Sequence, residues 1–276
     1  ESWRPALPQV AELIERHQLF MVEEFTLQTS ATTGEVMLTL IYPKRHNLRF
    51  EFTRDDLGNY SSLHSIFVRN GEQGEARWIS GRRTISETVR GVSYEIGPET
   101  FFQTNYAGLA QLMKIVSQHM KSIAPSYSID AHCGIGTFTL PMAQFSQSAL
   151  GIDLQSQAIV LAQKNAQCND VTNVSFRVGN LGAIDKVVKA DLILLNPPRQ
   201  GCWSEDLEVA KDIAPANILY ISCSSATLAR DLSKLKGNYQ ICSLEMVDLF
   251  PMTHHFETVV WLRKRLHSLD EVSPSS

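Results

Sequence analysis

Two side chains in this sequence have the types needed for nucleophilic and acid–base chemistry, and each sits at the end of an apolar run. Cys223 closes "NILYISC" (217–223), which reads as a buried strand, and a helix pattern follows at once. Glu257 opens a second run in "LFPMTHHFETVVW", beside His254 and His255. A thiol just before a helix is expected to be biased toward thiolate, the attacking form. A carboxylate within reach could then remove a proton. The plain alternative for Cys223 is a buried inert thiol, and that alternative stands for Cys133, Cys168, Cys202 and Cys242. For Glu257 it is an ordinary carboxylate on an edge strand.

A second set of polar groups closes the preceding runs. "DAHCGIGTF" (130–138) has the spacing D-x-x-x-G-x-G, in which Gly134 and Gly136 permit a tight turn and Asp130 can fix the loop. It is not the G-x-G-x-x-G of dinucleotide sites, and a plain tight turn explains it equally well. Asp153 ends "LGIDL", where a carboxylate can accept both hydroxyls of a ribose. Asn180 ends "RVGN", where an amide can reach an adenine edge, and Asn196 opens "NPPRQG". Each alone reads as a cap or turn residue. Together they suit a cofactor with an adenosine and no pyrophosphate, and no Walker-type loop is present. S-adenosylmethionine is the expected cofactor. A cysteine, a carboxylate and a methyl donor suggest one reaction: thiolate addition at C6 of a uracil makes C5 nucleophilic, and a base later removes the C5 proton.

The elements that must position these groups follow from periodicity. After Pro125, apolar runs alternate with helical stretches at 157–168 and 204–214, which implies a parallel sheet covered on both faces. The last two runs, in 239–251 and 255–265, have no helix between them, so an antiparallel final pair is expected. Residues 105–123 form a long amphipathic helix. The first third reads differently: a helix over 8–20, with Val10, Leu13, Ile14 and His17 at helical spacing, and then the alternating runs "EVMLTLIYP", "LRFEFTR", "HSIFVRN" and "TISETVRGVSYEI". These predict antiparallel strands. The expected division is a small α+β domain over 1–97, a connecting helix over 98–125, a catalytic α/β domain over 126–265, and a polar disordered tail over 266–276.

The formal charge of −4 over 276 residues argues against a chain-wide electrostatic binder of nucleic acid. Local clusters remain: Lys44, Arg45 and Arg49; Arg82, Arg83 and Arg90, with Trp78 nearby; Arg199; and Arg230, Lys234 and Lys236. They suit phosphate contacts or a solvated surface equally, and Trp78 reads as core. Five cysteines without a C-x-x-C pair predict no metal site, no disulfide framework and a reducing cytoplasmic setting. No run is long and apolar enough to span a membrane, and no signal-peptide pattern is present. The chain starts at Glu1 rather than methionine.

Five motifs in order, "FFQTN" (101–105), "DAHCGIGTFTLPMA" (130–143), "NPPRQG" (196–201), "ISCSSATLARDL" (221–232) and "DLFPMTHHFE" (248–257), resemble the bacterial RNA 5-methyluridine methyltransferases. The resemblance runs from about residue 84 to 265. The forms of the first and third motifs are most similar to the branch acting on large-subunit ribosomal RNA rather than transfer RNA. It implies a Rossmann-like methyltransferase sheet, mostly parallel with an antiparallel last strand, acting on RNA; a monomer is the expected state. It implies Cys223 as nucleophile and Glu257 as base. It places Gln103, His132, Asp153, Asn180 and Asn196 on cofactor contacts, with Asn196 also facing the substrate. It makes Phe101 the stacking partner of a flipped uracil, core packing being the alternative for Phe101 and Phe102. Two departures stand out: Ser224 replaces an asparagine, and Asn196 replaces a common aspartate. Members of the ribosomal branch often carry N-terminal cysteines for an iron–sulfur cluster, and here none precedes Cys133. Two rivals remain, an amino-group methyltransferase using Asn-Pro-Pro and a non-catalytic RNA-binding module.

Overall fold

The computed structural model describes residues 3–44, 59–72, 74–184, 189–253 and 255–265. The predicted strand "LRFEFTR", Arg45, Arg49, His254 and the predicted tail lie outside these residues. In chain order the first elements are α1 (Ala6–Arg16), β1 (Glu24–Thr29), β2 (Val36–Tyr42), β3 (Ser65–Asn70), β4 (Arg77–Gly81), β5 (Ile85–Val89), β6 (Val92–Ile96) and α2 (Tyr106–Ile123). Then follow β7 (Tyr127–Asp130), α3 (Thr139–Ala143), β8 (Ser148–Asp153), α4 (Ser156–Cys168), β9 (Val174–Val178), β10 (Leu192–Leu195), α5 (Ser204–Ile213), β11 (Asn217–Ser222), α6 (Ser225–Leu235), β12 (Tyr239–Val247) and β13 (Glu257–Lys264). The chain divides into two compact units. The first is Glu1–Tyr106 with Gly134–Thr137 and Ser156–Asp170; the second is Ala107–Cys133, Phe138–Gln155 and Val171–Ser276.

In the first unit, α1 is shorter than the predicted 8–20 helix. Gln18 takes a left-handed conformation with φ 51°, and the Leu19 amide donates to the Ile14 carbonyl, which closes the helix before the apolar pattern ends. Ala6, Val10 and Leu13 of α1 share a core with Val36, Leu38 and Leu40 of β2 and with Ile66 and Val68 of β3. The sheet runs β1-β2-β3-β4. The expectation of antiparallel pairing throughout is corrected: β1–β2 and β3–β4 are antiparallel, but β2 and β3 are parallel. Alternation reports a half-buried strand and carries no direction, and the sequence between β2 and β3 is long enough for a crossover. The hairpin β5–β6 is held by one asparagine of α4 and one just after it: the Glu95 amide donates to Asn165 Oδ1 at 2.7 Å, and the Ser93 amide donates to Asn169 Oδ1 at 2.8 Å. Trp78, read as core, is half-buried; its Nε1 donates to the Gly81 carbonyl, and Arg83 lies 4.8 Å from its ring centre. Arg82 pairs with Glu35. Phe102 packs on Tyr94, with ring centres 5.5 Å apart, whereas Phe101 is 73% exposed, which removes core packing as an account of that ring. Gln103, also in this unit, is half-buried.

The second unit is built on a seven-stranded sheet in the order β12-β13-β11-β10-β7-β8-β9. Strands β7 to β11 pair in parallel, and β13 is antiparallel to both β11 and β12, as predicted. This is a mostly parallel α/β sheet with an antiparallel last strand. All four residues of β10 are fully buried, the continuous apolar pattern of a central parallel strand. Leu109, Leu112, Met113, Val116 and Met120 form the buried stripe of α2. His119 fixes that helix: its Nε2 lies 3.0 Å from Glu245 Oε2 of β12, and its ring lies 5.3 Å from that of Trp261 on β13. Among the described residues no helix is long and apolar enough to cross a membrane, and no cluster of side chains is arranged to hold a metal ion.

Candidate active site

Strand order reverses between β10 and β7, and ligands of open α/β sheets bind at such a point, beyond the carboxyl ends of the strands. The parallel registers place the carboxyl ends of β7, β8, β9, β10 and β11 on one edge. His132, Asp153, Asn180, Asn196 and Cys223 therefore share that edge, each at or just beyond its own strand.

Antiparallel pairing brings the second reactive group to the first. Ser222 of β11 is the partner of Thr258 of β13 in a register that pairs Ile221 with Val259. Cys223 and Glu257 are the next residues beyond that last pair, and the charge of Glu257 acts on the Cys223 thiol. Glu257 is 5% exposed, so it is not the surface carboxylate of the plain reading. Burial pushes its carboxyl up to about 7, and the positive charge of Arg199 limits the rise. Burial and then the charge of Glu257 push the Cys223 thiol above its ordinary value, against an opposing pull from Arg199. Burial therefore opposes the bias toward thiolate expected of a thiol just before a helix. The positive charge of Arg199, an exposed residue, thus acts against both shifts.

Of the other cysteines, Cys133 and Cys202 are buried with thiols pushed upward by desolvation, the latter to about 12. They are inert core residues, as the plain alternative has it. Cys168 and Cys242 are exposed, so that alternative is corrected for these two.

Ser224 caps α6: its side chain accepts a hydrogen bond from the Thr227 amide at 3.4 Å. Serine and asparagine cap helices about equally well, which gives the substitution at 224 a structural account. Ser224→Asn is expected to leave the melting temperature unchanged, whereas Ser224→Ala should cost about 1 kcal/mol in denaturant unfolding. A further stability effect comes from Glu257. Between about 4.5 and 7 the folded protein keeps a proton that the unfolded chain releases, so stability falls as pH rises through that window. Glu257→Gln removes this dependence. From pH 5 to pH 8 the variant should lose less stability than the parent, by on the order of 1–3 kcal/mol. Parallel pH profiles would remove the buried-carboxyl account.

The loop after β7 is fixed by Asp130, which is fully buried and whose Oδ2 accepts from the Thr139 hydroxyl at 2.7 Å. Gly134 and Gly136 take φ of 53° and 87°, the conformations for which the turn needs glycine. His132 is mostly buried, and burial lowers its ring to about 4, so the ring is neutral at pH 7. Its Nδ1 is buried without a hydrogen-bond partner, as is Asp206 Oδ2, which stands 3.9 Å from His132 Nε2. Asp206 lies in the first turn of α5 and was not singled out in the sequence; an acidic residue there is common, and its burial has no sequence signal. Asp153 Oδ1 accepts from the Gln155 amide at 2.9 Å, the turn contact anticipated as its plain role. Asn180 precedes a short 3-10 turn (Leu181–Ala183) without capping it, and both Asn180 and Asn196 are half-buried. Two unpartnered buried polar atoms, with a carboxylate and an amide at the next strand ends, fit an amphoteric adenosine cofactor such as S-adenosylmethionine.

Comparison with known proteins agrees. Residues 180–265 match the family described as "tRNA (Uracil-5-)-methyltransferase", and residues 108–217 match "Methyltransferase small domain". An uncharacterized RNA methyltransferase of Nostoc sp. is 34% identical over 262 residues, covering 90% of this chain and 56% of the relative. One of Geobacter sulfurreducens is 30% identical, covering 91% and 54%. The chain thus spans about half the length of the curated relatives it matches. Among solved structures, the tRNA (uracil-54, C5)-methyltransferase of Pyrococcus abyssi, in complex with S-adenosyl-L-homocysteine, superposes with a TM-score of 0.80 at 27% identity, over 95% of this chain and 67% of that one. By sequence and fold the chain is thus similar to RNA methyltransferases, and its residues 180–265 match the tRNA (Uracil-5-)-methyltransferase family.

Proposed function

We propose that this chain is the catalytic portion of an S-adenosylmethionine-dependent RNA methyltransferase that methylates C5 of a uridine. The observation that carries the reading is the β11–β13 register, whose last pair, Ser222 and Thr258, is followed directly by Cys223 and preceded by Glu257 at the carboxyl edge of the sheet. Two groups of different roles are needed there, and two are present. When bound, S-adenosylmethionine supplies a sulfonium methyl group. Cys223, as thiolate, adds to C6 of the uracil; the C5=C6 pair shifts to give an enolate, and C5 takes the methyl group. Glu257, as carboxylate, then removes the C5 proton. The C5=C6 bond re-forms as the C6–S bond breaks and the electron pair returns to sulfur. Glu257 must be ionised for that step, so the proton-removal rate should rise with pH through about 7.

His132, Asp153, Asn180 and Asn196 are proposed to hold the cofactor, and Asn196 also to face the uracil. Gln103 and Phe101 are proposed as a cofactor contact and a base-stacking ring on the strength of their motif. A flipped base is required, because stacking hides the ring faces that must be attacked.

Large-subunit ribosomal RNA is the proposed substrate, supported by the forms of "FFQTN" and "NPPRQG". Transfer RNA is a second reading, favoured by the likeness to the Pyrococcus abyssi enzyme. Incubation with labelled S-adenosylmethionine and unmodified ribosomal or transfer RNA, followed by nucleoside analysis, tests both. The expected product is 5-methyluridine in the ribosomal sample. Label in an exocyclic amine would favour the amino-group rival, and RNA binding without product would favour the binding module.

A further inference from the structure

Two strand ends that carry proposed cofactor contacts are tied to one buried carboxylate. Asp206, in the first turn of α5, is fully buried. Its Oδ1 accepts from the Gly182 amide at 3.3 Å, in the turn that follows Asn180. Gly182 lies so close to α5 that a Cβ there would stand 3.1 Å from the Glu205 side chain. The second oxygen, Oδ2, has no hydrogen-bond partner among the described residues and stands 3.9 Å from Nε2 of His132, just beyond β7. Nδ1 of His132 is buried without a partner as well. Unpaired polar atoms are costly in an interior and call for an account. Burial keeps the His132 ring neutral at pH 7, so the ring carries its single proton on one nitrogen or the other. Nε2 faces a carboxylate oxygen, whereas Nδ1 faces no acceptor. The proton therefore belongs on Nε2. At 3.9 Å the contact is an attraction longer than a hydrogen bond, and it orients the ring all the same.

We propose that Asp206 is a positioning residue of the cofactor site: it keeps the His132 proton on Nε2 and the ring in one orientation, and through the Gly182 amide it holds the turn behind Asn180. One buried carboxylate thereby sets two cofactor contacts on separate strands. The inference rests on the cofactor reading given above. Its test uses RNA-free protein with S-adenosylhomocysteine as the probe and needs no turnover. Nuclear magnetic resonance of the isotope-labelled ring nitrogens, assigned by comparison with His132→Gln, should show the Nε2–H form in the parent. In Asp206→Asn the side-chain oxygen still accepts from Gly182. The amide nitrogen that takes the place of Oδ2 can only donate, so the ring should change to the Nδ1–H form. Affinity for S-adenosylhomocysteine, by isothermal titration calorimetry, should fall about tenfold in this variant. In a His132→Gln background the same substitution should cost less than about threefold. The melting temperature of cofactor-free Asp206→Asn should equal or exceed that of the parent, because the amide removes an underpaired buried charge. A carboxylate with a merely structural role would lower it on substitution. The parent ring form is readable without any change at position 206, and an Nδ1–H ring there overturns the inference, since Asp206 would then hold its own proton and donate to Nε2. Unchanged affinity in Asp206→Asn also overturns it, as do losses at 132 and 206 that simply add. A ring proton that follows Asp206 in a protein that binds no S-adenosylhomocysteine would support the pairing and reject the cofactor reading. Normal binding with a ring indifferent to Asp206 would do the reverse.

Discussion

Cys223→Ala is expected to reduce methyl transfer to at most about one part in 10⁴, with RNA affinity largely retained. The size of the effect follows from the substrate. In the proposed reaction C5 of the uracil is a poor nucleophile until sulfur has added at C6, and among the described residues Cys223 is the half-buried thiol placed at the end of β11 to make that addition. The remaining cysteines cannot substitute: Cys133 and Cys202 are buried, and Cys168 and Cys242 are exposed at positions away from the end of β11. The half-buried Cys223 side chain leaves no large cavity when truncated, so the variant should fold and bind. An amino-group methyltransferase built on Asn-Pro-Pro would keep its rate in this variant. Single-turnover assays with equal amounts of folded protein separate the two outcomes.

Glu257→Gln is expected to fail at a different point. The amide has the shape of the carboxylate but cannot accept the C5 proton at neutral pH. Sulfur addition and methyl transfer both precede that step, so protein and methylated RNA should remain joined. Turnover should fall by roughly 10²–10⁴, while a denaturant-stable complex accumulates that the parent shows only transiently. Removing the negative charge that acts on Cys223 also relieves the repulsion that raises its thiol, so addition itself should be no slower. The sign of the complex yield is therefore diagnostic: a catalytic base gives more complex on substitution, and a merely structural carboxylate gives less. Equal turnover and equal yield would remove Glu257 from the mechanism.

What the sequence disclosed was governed by which signals are local. The parallel runs of the second unit were legible because β10 is apolar throughout and helical stretches intervene. The absence of a helix between β12 and β13 announced their antiparallel pairing, whereas the pairing of β11 with β13, which brings Glu257 toward Cys223, had no local signal. The pairing direction of β2 and β3 was not legible, because alternation is the same in either sense. Strands β1 and β4 escaped notice: β1 has no fully buried residue and β4 only Ser80, so neither shows a clear two-residue period. Arg199 was read as a possible phosphate contact, and the structure holds its backbone carbonyl by the Thr227 hydroxyl. Its placement depends on Thr227, Arg230 and Asp231, about thirty residues further along, and on a glycine turn that only the folded loop explains. Arg230, grouped with Lys234 and Lys236 as a basic cluster, instead holds Asp231 and the carbonyls of Gln200 and Cys202.

The central claim is a bond between one sulfur and one ring carbon, and RNA carrying 5-fluorouridine measures it directly. Fluorine at C5 cannot be removed as a proton, so the ring stays attached after methyl transfer. Mass spectrometry of the digested product should find a methylated fluorouracil nucleotide on the peptide containing Cys223, formed only when S-adenosylmethionine is present. Methylated RNA with that peptide unmodified, or attachment at a different residue, would contradict the account.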